Sequence, residues 1–248
     1  MAGHSKWSKI KRAKAATDAK RSKVWARVTR EIMIAAREGG GDPGMNPRLA
    51  LAVDKAKGEN MPKDNIERAI KRGTGEIQGA DYTEVNYEGY GPNGVAIFVE
   101  TLTDNINRTV ADVRSIFTKN GGSLGQTGSV GYLFERKGNI EILAEGRDEL
   151  ELFDLVAEAG AEDLAQEDNM FVVTTPVEMF GAVQAAIQEA GINTEEAQLV
   201  RIPTTTVSLD PSSTRKVLKL LEALEDNQDV QAVYSTLELD DATIEAIS

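Results

Sequence analysis

The chain has 248 residues, 41% of them hydrophobic and 27% charged, with a net charge of −12 and no cysteine. That length and composition fit a globular protein of two or three domains, and the missing cysteines exclude disulfides, thiolate nucleophiles and Cys-based metal sites while agreeing with a reducing, cytoplasmic setting. No apolar run approaches the roughly 20 residues that a membrane span needs, and the basic start lacks the apolar stretch and cleavage site of a secretory signal.

The charge is partitioned. The first thirty residues, MAGHSKWSKIKRAKAATDAKRSKVWARVTR, hold ten Lys or Arg and one acid, Asp18. Residues 1–72 hold 18 Lys/Arg against 8 Asp/Glu, a net +10, and the remainder holds 10 against 32, a net −22. Ordinary solvated faces mix both signs, so this asymmetry points to a polyanion-binding end on an acidic body.

Residues 1–16 show no clear apolar periodicity and read as a flexible or conditionally ordered arm. A helix begins near Thr17–Asp18, and Val24, Trp25, Val28, Ile32, Ala35 and Ala36 place its apolar stripe. Gly39-Gly40-Gly41 stops it and DPGMN is loop chemistry. Pro47 opens a second helix, which runs to about Lys57 with Gly58 as the stop signal. A third starts near Pro62 or Asp64, where Asp64 and Glu67 have capping-box spacing, and ends before Gly73. TGEIQGA then reads as a linker.

Beyond it, strand and helix alternate. YTEVNYEGY (82–90) and GVAIFVETLT (94–103) are strands joined by GPNG, and 105–120 is an amphipathic helix through Ile106, Val110, Val113 and Phe117. The Gly-rich GGSLGQTGSVG leads into strand YLFER. From Asn139 the order is β-α-β-β-α-β, the split ferredoxin-like order, and both helices end in Glu-Ala-Gly, at Glu158-Ala159-Gly160 and Glu189-Ala190-Gly191. After Pro203 come strand TTTVSL, a helix over 211–226 and strand VQAVYSTLEL. Joined to 94–136 these give a second β-α-β, β-α-β set. The expected fold is therefore α+β and multidomain. A basic arm and helical domain (1–78) precedes a discontinuous ferredoxin-like α/β domain (79–136 with 203–248), which hosts an inserted ferredoxin-like α/β domain (137–202). Three independent α/β segments are the alternative.

The motifs argue against an enzyme. Gly89-Tyr90-Gly91-Pro92-Asn93-Gly94 matches a dinucleotide fingerprint in letters only, because it runs into a strand rather than opening a helix. Gly122, Gly125, Gly128 and Gly131 follow a helix and precede a strand, the reverse of a phosphate-cradling loop, so a bend or contact surface is expected there. His4 is the one histidine, so no His pair or Ser-His relay forms within one chain. The spacing of Glu158, Glu162, Asp163, Glu167 and Asp168 specifies neither a metal loop nor an acid/base pair. No catalytic residue, metal site, cofactor or small-molecule ligand is expected.

The arm is the candidate site. Lys6, Lys9, Lys11, Arg12 and Lys14 precede a helix carrying Lys20, Arg21, Lys23, Arg27 and Arg30, cations that gain affinity by releasing phosphate counterions. Trp25 lies on the apolar stripe and is expected in the core. Trp7 has no such stripe and is open to stacking on an unpaired base or to simple packing. Lys63, Arg68, Lys71 and Arg72 add charge on the third helix, and the second and third helices suggest a helix-turn-helix only weakly.

MAGHSKW, IKRAKAATDAKRSKVW, NPRLALAVDKAKGENMPKDNIERAIKRGTG, EGYGPNGVAIFVETLTDNINRT and GGSLGQTGSVGYLF closely resemble, in this order, the YebC family. The resemblance is dense over the first 135 residues, while 136–248 fits in length and element order. It implies a helical domain and two α/β domains, one inserted in the other. It implies a bacterial cytoplasmic protein described as a DNA-binding transcriptional regulator. Related members, among them the mitochondrial translational activator of cytochrome oxidase subunit one, act in translation, and relief of difficult peptide-bond formation on the ribosome is ascribed to bacterial members. The resemblance starts at the initiator end, which favours the bacterial type over one with a transit peptide. It carries onto Lys6, Trp7, Lys9, Lys11, Arg12 and Lys14 a candidate role in nucleic-acid contact. The expectation is a non-enzymatic nucleic-acid-binding regulator of gene expression, on DNA or on structured RNA such as the ribosome. A protein–protein adaptor working through the acidic α/β domains is the alternative of another class. No membrane partner is expected.

Overall fold

A computed structural model describes residues 18–240 and 243–244, with side chains from residue 22 onward. The predicted arm, 1–16, lies outside the described residues.

Three helices open the described chain: α1 (Asp18–Gly39), α2 (Pro47–Gly58) and α3 (Lys63–Gly73). Asn46 caps α2 by accepting from Leu49 N–H, and Pro47 follows at the first position, where a missing N–H costs nothing. The same buried Asn46 side chain donates to the carbonyls of Ala35 and Gly40, fixing the α1–α2 turn. Val28, Ile32, Leu49, Val53, Met61 and Ile66 form the core, with Trp25 packed against it. Gly73 is required where α3 meets α1, since a Cβ there would lie 2.4 Å from the Met33 carbonyl oxygen. The capping box expected at Asp64 and Glu67 does not form. Pro62 precedes the helix with no side-chain cap, its carbonyl accepts from Asn65 and Ile66, and Asp64 sits inside the first turn.

The remaining elements are β1 (Thr83–Tyr90), β2 (Ala96–Thr103), α4 (Ile106–Lys119), β3 (Ser123–Leu124), β4 (Phe134–Leu143), α5 (Glu149–Glu158), β5 (Asp163–Glu167), β6 (Met170–Thr175), α6 (Phe180–Glu189), β7 (Glu196–Pro203), α7 (Pro211–Glu225) and β8 (Val230–Ser235). They form two four-stranded sheets, ordered β3-β1-β2-β8 and β5-β6-β4-β7. The chain divides into two compact units, 1–134 with 203–248 and 135–202.

In the first unit β1 and β2 pair antiparallel over eight residues, from Thr83 opposite Thr103 to Tyr90 opposite Ala96. The GPNG segment between them is a tight turn with Asn93 at φ +60°, as its letters predict, and it holds no helix N-terminus for a pyrophosphate. Phe117 of α4 and Val217, Leu220, Leu221 and Leu224 of α7 pack with Ile97, Val99 and Val233 of the strands. The membership of this sheet differs from the expectation. YLFER does not serve it: Phe134 opens β4, which runs without a break through NIEIL in the other sheet. TTTVSL contributes one isolated parallel bridge, Val207 to Leu237, rather than a strand. β1 takes the vacant place, because a hairpin closed by the five residues 91–95 forms at far smaller loop entropy than a pairing across the insertion.

In the second unit the strands occur as β4-α5-β5-β6-α6-β7, and their sheet order is the split ferredoxin-like one. Ile140 and Ile142 of β4 stand opposite Val173 and Phe171 of β6, and these bury together with Leu152, Val156, Val183 and Ile187 of the two helices. Both helices stop where Glu-Ala-Gly predicts, with Gly160 at φ +100° and Gly191 at φ +70° closing the last turns.

Candidate nucleic-acid interface

Of the predicted contacts, Lys6, Trp7, Lys9, Lys11, Arg12 and Lys14 lie outside the described residues. Lys20 and Arg21 fall on the first turns of α1, where the backbone alone is described. The structure does bring three of the set together. Lys23, Arg27 and Arg30, spaced i, i+4 and i+7 along one face of α1, meet the end of α7. Lys23 Nζ stands 3.0 Å from Asp226 Oδ1, Arg27 donates to the Glu225 carbonyl and Arg30 to the Gln228 carbonyl. The Arg30 guanidinium also lies 5.7 Å over the Tyr82 ring.

The physical reason is at the helix end. The last carbonyls of α7 have no intrahelical partner, carry the negative pole of the helix dipole, and have no basic residue of their own in the last turn. The α1 cations supply the missing positive charge. Burial pushes the pKa of Arg27 down, against the neighbouring Glu225, which raises it. These three side chains are therefore engaged by the body, and the sequence showed their charge but not this use of it.

Trp25 is half-buried against the helical core, as its place on the stripe predicts, and its Nε1 donates to the Glu59 carbonyl at 3.0 Å. On α3, Arg68, Lys71 and Arg72 are exposed and make no ion pair among the described residues, while Lys63 pairs with Glu67 at 3.6 Å. α2 and α3 pack chiefly on α1 and little on each other, so the pair is not a self-packed helix-turn-helix. A groove of about 620 Å³ runs between α1, the end of α3 and residues 75–82, with Arg37 and Arg72 on its walls; Arg37 is paired with Asp81 there.

The Gly-rich loop has a second feature that no motif announced. Its amides form an anion-binding concavity, and the anion is the chain's own Glu88. That buried carboxylate accepts from Gly128, Val130 and Gly131 N–H at 2.8, 2.7 and 2.7 Å. Gly125 N–H donates to the Glu88 carbonyl and Tyr90 Oη to the Ser129 carbonyl. The Gly128, Val130 and Gly131 amides are thus taken by the chain's own carboxylate rather than left open to an outside phosphate. The sole available signal was strand alternation, which turns Glu88 to the face opposite Tyr87 and Gly89.

Among the described residues no group of three His, Cys, Asp or Glu is placed to hold a metal, and no helix is long and apolar enough to cross a membrane.

Residues 5–76 match the model of the TACO1/YebC protein N-terminal domain, and residues 82–237 match the model of the TACO1/YebC second and third domain. The chain belongs to the TACO1/YebC family. It is 53% identical over its whole length to a probable transcriptional regulatory protein of Chlorobium phaeobacteroides, covering 99% of that protein. A protein of the same description from Persephonella marina is 54% identical, with both chains covered fully. The crystal structure of a conserved hypothetical protein from Aquifex aeolicus superposes with a TM-score of 0.83 at 46% identity, covering 90% of this chain and 93% of that one. The Chlorobium and Persephonella relatives are named as regulatory proteins rather than as enzymes. The N-terminal model begins at residue 5, so Lys6 to Lys14 belong to the matched family region.

Proposed function

We propose that the protein is a nucleic-acid-binding regulator of gene expression that engages its target through the basic N-terminal arm and the start of α1. The observation that carries this reading is the division of the cations. Lys23, Arg27 and Arg30 are engaged within the fold, Lys23 by a carboxylate and the two arginines by backbone carbonyls, whereas Lys6, Lys9, Lys11, Arg12, Lys14, Lys20 and Arg21 share their stretch of sequence with a single acid. The relatives' name, probable transcriptional regulatory protein, agrees with a nucleic-acid target. Arg68, Lys71 and Arg72 add exposed positive charge on α3.

The acidic remainder bears on which target. A long uniform duplex would bring phosphates against it, while a crevice in folded RNA can receive one charged end and leave the body outside. DNA and transcription follow the family description, and ribosomal RNA and translation follow this electrostatic argument.

If about six cations engage phosphates, the logarithm of the affinity falls with the logarithm of salt at a slope of about −4 to −5. Replacing Lys9, Lys11, Arg12 and Lys14 with Ala should weaken binding and flatten that slope by about 3 to 4. Unchanged affinity would refute the role of the arm. Ribosome co-sedimentation, set beside footprinting on promoter DNA, separates the two targets.

A further inference from the structure

The whole net charge of the molecule resides in the second unit. Residues 135–202 hold 4 Lys/Arg against 16 Asp/Glu, a net −12, and the rest of the chain holds 24 of each. Within this acidic unit one helix carries apolar side chains on its outer face. Leu152 and Val156 of α5 are buried under the sheet, but Leu150 is 74% exposed and Phe153 47%. Leu150, Phe153 and the exposed Ala157 follow i, i+3, i+7 spacing and make one outward stripe. Glu149 borders it on one side and Asp154 and Glu158 on the other, all exposed and without an ion pair among the described residues.

We propose that this face of α5 is a docking surface for a basic amphipathic segment of another protein. Bulky apolar side chains of the partner seat on Leu150 and Phe153, and its Lys or Arg side chains meet Glu149, Asp154 and Glu158. The geometry is that of helix-face recognition, in which apolar anchors at helical spacing carry affinity and the charged rim sets the partner's sign and rate of encounter. The charge excludes other occupants. Nucleic acid and anionic lipid surfaces are repelled by a unit at −12, and a second copy of the same face would oppose like charges across an apolar seam. The stripe is also pre-ordered, so little entropy is lost on docking. Asp148 caps α5 through the Leu150 and Glu151 amides at 2.9 and 3.1 Å, and Leu152 and Val156 anchor its inner side.

The test uses the full chain and a fluorescent peptide of Leu and Lys at helical spacing, about four turns long. A peptide of the same length made of Lys and Gly is the comparison. The full chain should bind the Leu/Lys peptide about tenfold or more tightly than the Lys/Gly peptide. Leu150→Ser with Phe153→Ser should remove about tenfold or more of that affinity, and Asp154→Asn with Glu158→Gln should flatten its salt dependence. Amide chemical shifts of the unmutated chain should move along α5. Three results overturn the proposal. The first is equal affinity of the Ser variant, or of the Lys/Gly peptide, which would reduce the effect to polycation adhesion. The second is shifts spread evenly over the acidic surface. The third is a tenfold gain from Trp7→Ala with Ile10→Ala, which would make the chain's own arm the occupant.

Discussion

Each sheet has four strands, but the two differ in how they are assembled. The second is built from consecutive elements between Phe134 and Pro203, and its central strand β6 is buried at all six positions. Its buried carboxylate, Glu141, sits within β4, whose place the ladder to β6 already fixes. The first sheet gathers strands from both sides of the insertion, and one of them, β3, is two residues long. It has buried carboxylates where distant segments meet. Glu88 ties β1 to the Gly-rich loop, and Asp229 Oδ2, just before β8, accepts from Arg108 Nη2 and Thr109 Oγ1 at the start of α4, both at 2.8 Å. Apolar burial is non-directional and serves a contiguous unit whose register is set locally. A sheet drawn from separated segments gains from directional contacts that define which atoms meet.

Glu88→Ala is the hardest test of that contrast. It leaves three amide donors without an acceptor in a half-buried loop, and the expected loss is about 4 kcal/mol. Urea unfolding measures the loss, and hydrogen exchange locates it. Amides of β1, β2 and β3 should exchange faster while those of residues 135–202 keep their protection. Equal acceleration in both units would mean that they unfold as one, and the contrast would fail.

Gly138→Ala is the converse. A Cβ at this position would lie 2.3 Å from the Phe180 ring and from Thr175 Oγ1, both within the second unit. Overpacking of this kind costs about 2 kcal/mol. The same exchange experiment should show accelerated amides in β4, β6 and α6 and unchanged ones in β1 and β2.

The contrast also explains which parts could be read from the sequence. The three opening helices, the GPNG turn and all six elements of the second unit follow from period, caps and turn residues, because each depends on neighbours within a dozen positions. The membership of the first sheet does not. YLFER and TTTVSL have the letters of strands, and nothing local says that Phe134 continues into the other sheet or that β1 fills the fourth place. The same holds at the α1 interface. Charge on Lys23, Arg27 and Arg30 is plain in the sequence, but their partner is a helix end about two hundred residues later. Glu88 is one acid among 40 until the fold lays a glycine-rich loop over it.

The smallest expected effect compares two helix starts of like geometry. Asp210 opens α7 in the first unit, and its Oδ1 accepts from the Ser212 and Ser213 amides at 2.9 and 3.1 Å. Asp148 opens α5 in the second with the same two distances. After Asp210 and Pro211 the side chains of Ser212, Ser213 and Thr214 are uncharged hydroxyls, and hydrogen bonds from Ser213, side chain first and then backbone, hold the Asp210 carboxyl below the ordinary value of 3.8. A carboxylate whose pKa falls on folding adds stability that is present above its unfolded pKa and is lost as pH drops through the folded one. Asp210→Asn keeps a capping oxygen and removes the charge. The urea midpoint of the variant should therefore lie below that of the parent at neutral pH, and the gap should close on acidification through the carboxylate range. Asp148 is followed by Glu149 and Glu151, so Asp148→Asn relieves repulsion as it gives up the dipole interaction, and its gap at neutral pH should be the narrower. A gap for Asp210→Asn that persists unchanged in acid would show that the cap works through its shape alone.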